Sequence, residues 1–379
     1  MSTSRTSTRT ASREKVSVAS NGTHTNMSQA KPSKKPATID YFPHLPAYSD
    51  PTTGILSKLP HSWVPYAQLM RIDRPGGLYA FYFPYLIGLT YSACIASPSP
   101  EPRWVLSVAA VLLPFNVVLR GAACAWNDTV DQDFDRRVAR CRHRPVARGA
   151  VSTAQAHLFT ALQVALLGPA TVALFPAACL PHFAIMVLLF GVYALMKRVT
   201  YYPQVVLGVP FAWAVFFCVA ALGMEPLPFA LPLVRAGGGE FAPAEATIGR
   251  ATLALFAANI LWTITYDTIY AHQDVADDAK AGVKGMALKF RHSTKLLASV
   301  LSAGQVGLLV LCGLWAGFGA LYYLGTVGGV SLALAYYIYD VDLDSPESCG
   351  AWFHDQFWIV GAPFISGFVG EYLVKRGII

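Results

Sequence analysis

Apolar segments long enough to cross a bilayer recur along most of this chain, and they restrict its fold more than any other feature. A helix needs about 20 apolar residues to cross a hydrocarbon core of roughly 30 Å. Segments near that length lie at approximately 78–96, 104–126, 156–176, 179–196, 205–224, 250–266, 296–315, 318–339 and 356–374. We therefore predict an all-α integral membrane protein with about nine transmembrane helices. Little more than Ala316 and Gly317 separates the seventh and eighth segments, so a re-entrant pair is an alternative there.

Composition divides the chain into a tail and one membrane domain. Of the 379 residues, 54% are hydrophobic and only 13% are charged, whereas a soluble domain usually carries about a quarter charged residues. Residues 1–60 are instead rich in Ser, Thr, Lys, Arg and Pro, and such a segment buries too little apolar surface to offset its ordering entropy. We predict a disordered polar tail over 1–60 and a single membrane domain over 61–379.

The basic residues predict orientation in the lipid bilayer. The formal net charge is +7, but the lysines and arginines cluster in short loops beside apolar segments. Nine spans with a cytosolic tail would place most of the 29 basic residues in the cytosol, as the positive-inside rule requires. We therefore infer no nucleic-acid partner, and no feature indicates an obligate protein partner. In this topology segments 127–148 and 267–284 leave the membrane on the same cytosolic face.

An acidic segment follows the second apolar stretch. In a helix, Asn127, Asp131 and Asp135 stand at i, i+4 and i+8, and Asp128 lies beside Asp131. Carboxylates this close repel one another unless cations are shared between them. Hard ions such as Mg²⁺ prefer oxygen ligands and usually keep substrate phosphates in their shell. Acids bordering a membrane core are costly and tend to be functional, so we predict a metal-binding role for these four residues.

A second acidic segment follows the sixth apolar stretch. Asp267, Asp274 and Asp278 are seven and eleven residues apart, which places them on one narrow stripe of a helix. Two acidic stripes on one membrane face can share Mg²⁺ ions and so bind a diphosphate. We predict Asp274 and Asp278 as metal ligands.

Cations surround both acidic segments. Arginine binds phosphate oxygens in a fork geometry, whereas lysine acts as a point charge. Most of these cations serve membrane topology, and the residues predicted to contact diphosphate are Arg71, Arg137, Arg144 and Lys284.

The motifs together resemble the UbiA superfamily of membrane prenyltransferases, especially 4-hydroxybenzoate polyprenyltransferases and fungal meroterpenoid-pathway enzymes. The motifs that carry the resemblance are at 69–75, 120–128, 142–145, 196–198 and 267–274. The resemblance implies a helical bundle around a central cavity, with Mg²⁺-bound prenyl diphosphate at its cytosolic end. It also implies that Asp267 activates an aromatic acceptor and that Arg198, beside Lys197, binds an acceptor carboxylate or phosphate.

The expected activity is transfer of a prenyl group, farnesyl by preference, to a carbon of an aromatic polyketide-type acceptor. Gly285 and Met286 depart from the Ser-Thr pair common in ubiquinone-pathway relatives, which weakens the assignment to 4-hydroxybenzoate. The runs 65–69 and 79–85 resemble the fungal secondary-metabolite branch. A mitochondrial 4-hydroxybenzoate polyprenyltransferase and a membrane terpene cyclase remain alternatives. Since the tail has no helical apolar periodicity, we expect a membrane of the endoplasmic reticulum or secretory pathway, with the mitochondrial inner membrane as the alternative.

Overall fold

The computed structural model describes residues 41–224 and 243–379, apart from the side chains of residues 243–246. Within these ranges all regular structure is helical, and nine helical spans are long and apolar enough to cross a membrane. We label them α1 to α9: Pro75–Ile95, Pro102–Val130, Thr153–Leu174, Cys179–Val199, Pro203–Ala221, Thr247–Ala281, Thr294–Ala316, Ala320–Asp340 and Pro346–Lys375. The prediction of an all-α membrane protein with about nine spans is confirmed.

Four of the spans contain internal breaks. Span α5 consists of helices Pro203–Ala212 and Ala214–Ala221, and α9 of Pro346–Ile359 and Gly361–Lys375. In α8, helices Ala320–Tyr322 and Gly329–Asp340 flank the π-helix Tyr323–Gly328. The helix Pro243–Tyr270, which carries most of α6, continues through the 3₁₀ turn Ala271–Asp274 into the helix Val275–Ala281. The second acidic segment therefore bends where it leaves the membrane-spanning helix.

Short helices lie between and before the spans. They are Leu56–Lys58, Val64–Leu69, Gln132–Asp135 and Met286–Lys289, the first of them a 3₁₀ helix. Proline begins α1, α2, α5 and α9, because its fixed φ suits the first turn and its missing N–H has no partner there in any case. Span α3 begins instead with a capping box between Ser152 and Gln155.

The spans form a ring in which α9 returns to α1. Consecutive spans pack against each other from α1 to α9, and α9 also packs against α1 and α6. At the crossing of α1 with α5, a Cβ on Gly88 would stand 2.9 Å from the Cα of Val215. Glycine therefore permits this close approach, which helps to enclose the centre of the ring.

The outer surface of the ring is apolar. On α3, Leu158, Leu162 and Leu166 are about 60% exposed and lie four residues apart on one face. A continuous exposed leucine stripe would be unfavourable in water, but it is suited to contact with lipid tails. The seventh and eighth spans are separate helices joined at Gly317, which has the left-handed φ of +69°.

Residues 41–50, which we call the N-terminal strap, contact the loop that follows the first acidic segment. Arg142 Nη2 donates to the carbonyl of Pro46 at 2.6 Å, and the Arg148 guanidinium lies 3.9 Å from the ring centroid of Tyr48. The predicted disordered tail of residues 1–60 thus includes a segment with defined contacts. Residues 1–40 lie outside the described residues.

Candidate active site

A cavity of about 670 Å³ lies inside the ring, and both acidic segments line it. All six residues predicted to bind metal contribute to its wall: Asn127, Asp128, Asp131, Asp135, Asp274 and Asp278. Of the other predicted site residues, the wall contains Arg71, Arg144, Lys197, Asp267 and Lys284. The fold therefore brings two segments that are more than a hundred positions apart in the sequence to one polar chamber.

Three aspartates of the first acidic segment are buried, and each of them has a basic partner. Helix α2 ends at Val130, and the chain turns at Asp131 into the short helix Gln132–Asp135. Asp128 Oδ1 lies 2.6 Å from Arg71 Nη2, and Asp131 Oδ2 lies 2.7 Å from Lys197 Nζ. Side chains from α4 and from the chain before α1 thus fix the carboxylates of α2.

Arg144 completes this arrangement from the following loop. Its Nη1 lies 2.8 Å from Asp135 Oδ1 and 3.4 Å from Asp128 Oδ1. Burial raises the pKa of the Asp135 carboxyl to about 7, although Arg144 opposes that shift. The segment is therefore an environment in which additional positive charge would be stabilising.

Unsatisfied oxygen atoms in this segment fit a hard metal ion. Asn127 Oδ1, Asp128 Oδ2 and Asp131 Oδ1 are buried and have no hydrogen-bond partner among the described residues. In the described ranges, no three His, Cys, Asp or Glu side chains approach closely enough to form a metal site unaided. Oxygen donors that are spread in this way suit Mg²⁺, which usually completes its shell with water and substrate phosphate.

The second acidic segment is held by the loop that follows the first. Arg140 Nε donates to Asp274 Oδ1 at 2.9 Å, and Arg140 Nη1 donates to the Tyr270 hydroxyl at 3.0 Å. The backbone N–H of Ala139 donates to Asp277 Oδ2 at 3.0 Å. A small apolar cluster of Val138, Cys141, Ala281 and Val283 lies beside these contacts. The two acidic segments are thus joined through the loop that carries Ala139 and Arg140.

A strained backbone presents Arg71 to the site. Arg71 has a φ of +56°, which is uncommon for a residue other than glycine. The buried Arg120 on α2 donates to the carbonyls of Arg71 and Arg74 at 3.0 and 2.7 Å. A Cβ on Gly77 would lie 2.5 Å from Arg120 Nη2, so glycine leaves room for this guanidinium. Arg120 therefore stabilises the turn that aims Arg71 at Asp128.

Asp267 lines the cavity, as do Lys197 and Gln204. Gln204 Oε1 accepts from the backbone N–H of Met286 at 3.1 Å. Because its oxygen is engaged by that N–H, the amide has its NH₂ group left to donate. Gln204 was not identified from the sequence, since a glutamine in an apolar span carries no distinctive spacing.

Arg137 and Arg198 lie outside the lining of this cavity as the described residues define it. Arg198 Nη2 lies 2.7 Å from Asp133 Oδ1, and Arg137 Nε donates to the carbonyl of Asp133 at 3.1 Å. Both guanidinium groups stack on Phe134, whose ring is part of the cavity wall. The spacing in the sequence does not separate Arg137 from Arg144, because both closely follow the same acids.

The far part of the cavity is aromatic. Phe81, Phe190 and Phe211 line it, with ring centroids between 4.8 and 5.3 Å apart. Of the aromatic residues in the first span, Phe81 belongs to this wall, whereas Tyr79 and Phe83 pack against Phe357 in α9. The chamber thus has an ionic end and an aromatic end.

Comparison with known proteins agrees with this architecture. The UbiA prenyltransferase family matches residues 81–361. The chain is 42% identical over 288 residues to the prenyltransferase ascA of Acremonium egyptiacum, covering 76% of this chain and 80% of that protein. It is 34% identical to the mitochondrial 4-hydroxybenzoate polyprenyltransferase of Saccharomyces cerevisiae, covering 84% and 79% of the two chains. It is 32% identical to the DMOA farnesyltransferase nvfB of Aspergillus novofumigatus, covering 81% and 92%.

A solved structure shares the fold. The UbiA homologue of Archaeoglobus fulgidus bound to GPP and Mg²⁺ superposes with a TM-score of 0.55 at 20% identity, covering 81% of this chain and 99% of that one. At this identity the similarity establishes the fold alone. The family match covers most of the chain and includes both acidic segments. This chain is therefore a membrane-embedded prenyltransferase and belongs to the UbiA family.

Proposed function

We propose that this enzyme transfers a farnesyl group from its diphosphate to a ring carbon of an aromatic, polyketide-derived phenolic acceptor in meroterpenoid biosynthesis, using Mg²⁺. The observation that carries the proposal is the division of one cavity into a carboxylate-rich and arginine-rich end and an aromatic end. A prenyl diphosphate has the same division between an anionic head and an apolar chain.

The ionic end would bind the diphosphate. Mg²⁺ held by Asn127, Asp128, Asp131, Asp135, Asp274 and Asp278 would supply positive charge that stabilises the leaving group as the allylic C–O bond breaks. Arg71, Arg144 and Lys284 line the same end and can donate to phosphate oxygens. The donor would thus be oriented with its head among cations and its allylic carbon toward the aromatic end.

The aromatic end would protect the allylic cation. Phe81, Phe190 and Phe211 present ring faces and edges to the cavity, and a ring face stabilises positive charge. These apolar side chains also exclude water, which would otherwise capture the cation. The chain's residues therefore favour attack by a bound ring over hydrolysis.

Asp267 would receive the proton that the reaction releases. When the ring carbon bonds to the allylic carbon, the ring becomes cationic and regains aromaticity by losing a proton. A role for Asp267 is supported by its position in the cavity wall, which Lys197 and Gln204 also line. A phenolic hydroxyl would supply the electron density for the attack.

The similarity to fungal enzymes supports the acceptor and donor classes. The fungal ascA is 42% identical to this chain, a higher identity than that of the yeast 4-hydroxybenzoate polyprenyltransferase. A farnesyl donor is supported by nvfB, which is named a farnesyltransferase. We propose location in the endoplasmic reticulum or a related secretory-pathway membrane, with the acidic segments on the cytosolic face.

The second candidate function is that of a mitochondrial 4-hydroxybenzoate polyprenyltransferase. The 34% identity to the yeast enzyme over 84% of this chain favours it. It would use the same ionic end but a longer donor and a smaller acceptor.

Product analysis separates the two functions. Membranes containing the protein would be incubated with Mg²⁺, with geranyl, farnesyl or hexaprenyl diphosphate, and with either 4-hydroxybenzoate or an orsellinic-type phenolic acid. We expect a farnesylated orsellinic-type product, identified by mass spectrometry. Prenylation of 4-hydroxybenzoate with preference for the hexaprenyl donor would favour the mitochondrial function instead.

A further inference from the structure

A smaller pocket of about 350 Å³ lies beside the cavity, between the N-terminal strap and the loop that follows the first acidic segment. We call it the side pocket. The strap contributes Pro46, Ala47, Tyr48 and Ser49, and Gln68 and Asp73 complete that part of the wall. The opposite wall is basic. Its arginines are Arg71, Arg74, Arg140, Arg142 and Arg144. Four of these guanidinium groups have an ion-pair partner, whereas Arg142 has none among the described residues. The wall therefore has an uncompensated positive charge at Arg142, which favours an anion.

The side pocket and the cavity share part of their walls. Arg71, Arg74, Arg140 and Arg144 line both. Arg71, Arg140 and Arg144 each also lie against an aspartate of the cavity. A guanidinium has five N–H donors in a rigid fork, so one group can bind a carboxylate while it donates to a second anion. These arginines are therefore placed to contact phosphate oxygens on either side.

Specific contacts shape the wall that the strap forms. Gln68 Nε2 donates to the Tyr48 hydroxyl at 3.2 Å, and Gln68 Oε1 accepts from Arg148 at 2.9 Å. Arg142 donates to the carbonyls of Pro46 and Ala139. Because backbone carbonyls do not neutralise a guanidinium, Arg142 keeps its full charge at this wall.

We propose that the side pocket binds inorganic diphosphate released by the transfer reaction, before that product reaches solvent. This inference rests on the proposed function, since the diphosphate is its leaving group. A volume near the lower end of ligand pockets suits a small polyanion. No bond changes in this step: after the allylic C–O bond has broken, the diphosphate keeps contacts with the shared arginines and exchanges its other cavity contacts for a contact with Arg142.

Arg142 allows a selective test, because it lines the side pocket and lies outside the cavity wall formed by the described residues. Solubilised protein with Mg²⁺ would first be saturated with farnesyl thiolodiphosphate, a donor analogue that ionises poorly. Inorganic diphosphate would then be titrated by calorimetry. We expect residual diphosphate binding in the unsubstituted protein that weakens at least about tenfold in Arg142→Gln, since a charge-assisted hydrogen bond is lost.

Two further variants serve as controls. Lys280→Gln removes a cation from the same face, where the Lys280 side chain is 80% exposed, and should leave diphosphate binding unchanged. Arg142→Lys keeps the charge and should retain more binding than Arg142→Gln. Loss of the side pocket should slow the release of diphosphate. Arg142→Gln should therefore keep the single-turnover rate within about twofold, while steady-state turnover falls.

The outcomes separate this inference from the proposed function. Normal binding of the analogue without any diphosphate signal would overturn the side pocket alone. The side pocket would also be overturned if a phenolic carboxylate bound there and diphosphate failed to displace it, because the pocket would then bind the acceptor. Failure of the unsubstituted, folded protein to bind the analogue would overturn the proposed donor and the side pocket together.

Discussion

The two acidic segments line one cavity but are held in different ways. In the first, Asp128, Asp131 and Asp135 are almost fully buried, and Arg71, Lys197 and Arg144 approach from three other parts of the chain. In the second, the ion pair across the cavity runs from Asp274 to Arg140, and the Asp274 side chain is 13% exposed. A 3₁₀ turn also interrupts the helix at Ala271–Asp274.

This difference indicates a division of roles. Dipoles and charges that are already oriented need little reorganisation when substrate charge develops, and the first segment has that character. The second segment lies on a bent helix and is joined to the first mainly through the loop that carries Ala139 and Arg140. We infer that the first segment is a fixed platform and that the second adjusts to the bound metal and diphosphate.

Chelation tests whether both segments act through a metal and should have the largest effect. Removal of divalent ions with EDTA should abolish product formation, and added Mg²⁺ should restore it. The reason is that the side-chain atoms available to bind a metal are hard oxygen atoms. Product would be measured by chromatography before and after metal is returned. Turnover that persists after thorough chelation would contradict a metal-bridged site.

Loss of a carboxylate from the platform should have the next largest effect. Asp131→Ala removes one buried donor oxygen and leaves Lys197 without its partner. Substitutions beyond the direct ligands of a metal often cost 10–100-fold in activity, so we expect a loss of at least about a hundredfold in kcat. The exposed Asp344 offers a matched control as Asp344→Asn. Asp131→Ala activity above a tenth of the unsubstituted level, at equal abundance, would exclude Asp131 as a direct ligand.

Lys197 and Arg198 distinguish the platform from its surroundings. Lys197 contacts Asp131 inside the cavity, whereas Arg198 contacts Asp133 outside the lining formed by the described residues. Lys197→Met should lower kcat/KM by more than about tenfold, because it leaves a buried charge unpaired. Arg198→Met should lower it by less than about threefold, as expected for a largely exposed pair. Equal losses of kcat/KM in the two variants, measured in steady-state assays, would indicate that Arg198 contacts an acceptor.

Much of this site was predictable because spacing along a helix is a local property. The lengths of the apolar segments predicted the spans, and helical spacing predicted that Asn127, Asp131 and Asp135 face one site, as they do in the cavity wall. The helix does not run unbroken through them, however, because it ends at Val130 and resumes at Gln132. The choice among neighbouring arginines was not predictable, since Arg137, Arg140 and Arg144 lie in the same basic run after the first acidic segment. Their roles depend on which loop packs against which helix.

Aromatic positions and the strap were also beyond local rules. Phe190 and Phe211 lie on different spans and meet Phe81 only through tertiary packing. The composition of residues 1–60 as a whole favoured disorder, yet Tyr48 in the strap has a ring that packs under Arg148. The aromatic and apolar residues of the strap, among them Tyr41, Phe42 and Leu45, were the signal that the composition of the whole tail obscured.

The second segment can be loosened from the platform through Arg140. Arg140→Gln removes the ion pair with Asp274 and the contact with Tyr270. If the second segment adjusts to bound substrate, kcat/KM for the donor should fall about three- to tenfold, mostly through KM, because metal and diphosphate can reassemble the pair of segments. Lys280→Gln provides a charge-matched control. A loss in kcat as large as that of Asp131→Ala would show that both segments are equally fixed.

The smallest effect should come from the N-terminus, where two truncations test how far the platform extends. Deletion of residues 1–40 keeps the strap, so kcat/KM and thermal stability should stay unchanged. Deletion of residues 1–50 removes the contacts of Arg142 with Pro46 and of Arg148 with Tyr48, which brace the loop carrying Arg144. We expect this longer deletion to lower the unfolding temperature by about 2–4 °C, as for a loss of roughly 1 kcal/mol, and to lower activity about twofold.

Both truncated proteins, as fluorescent fusions, should remain in the endoplasmic reticulum. Mitochondrial location of the full-length fusion, lost in both truncations, would contradict the proposed location and favour the 4-hydroxybenzoate function.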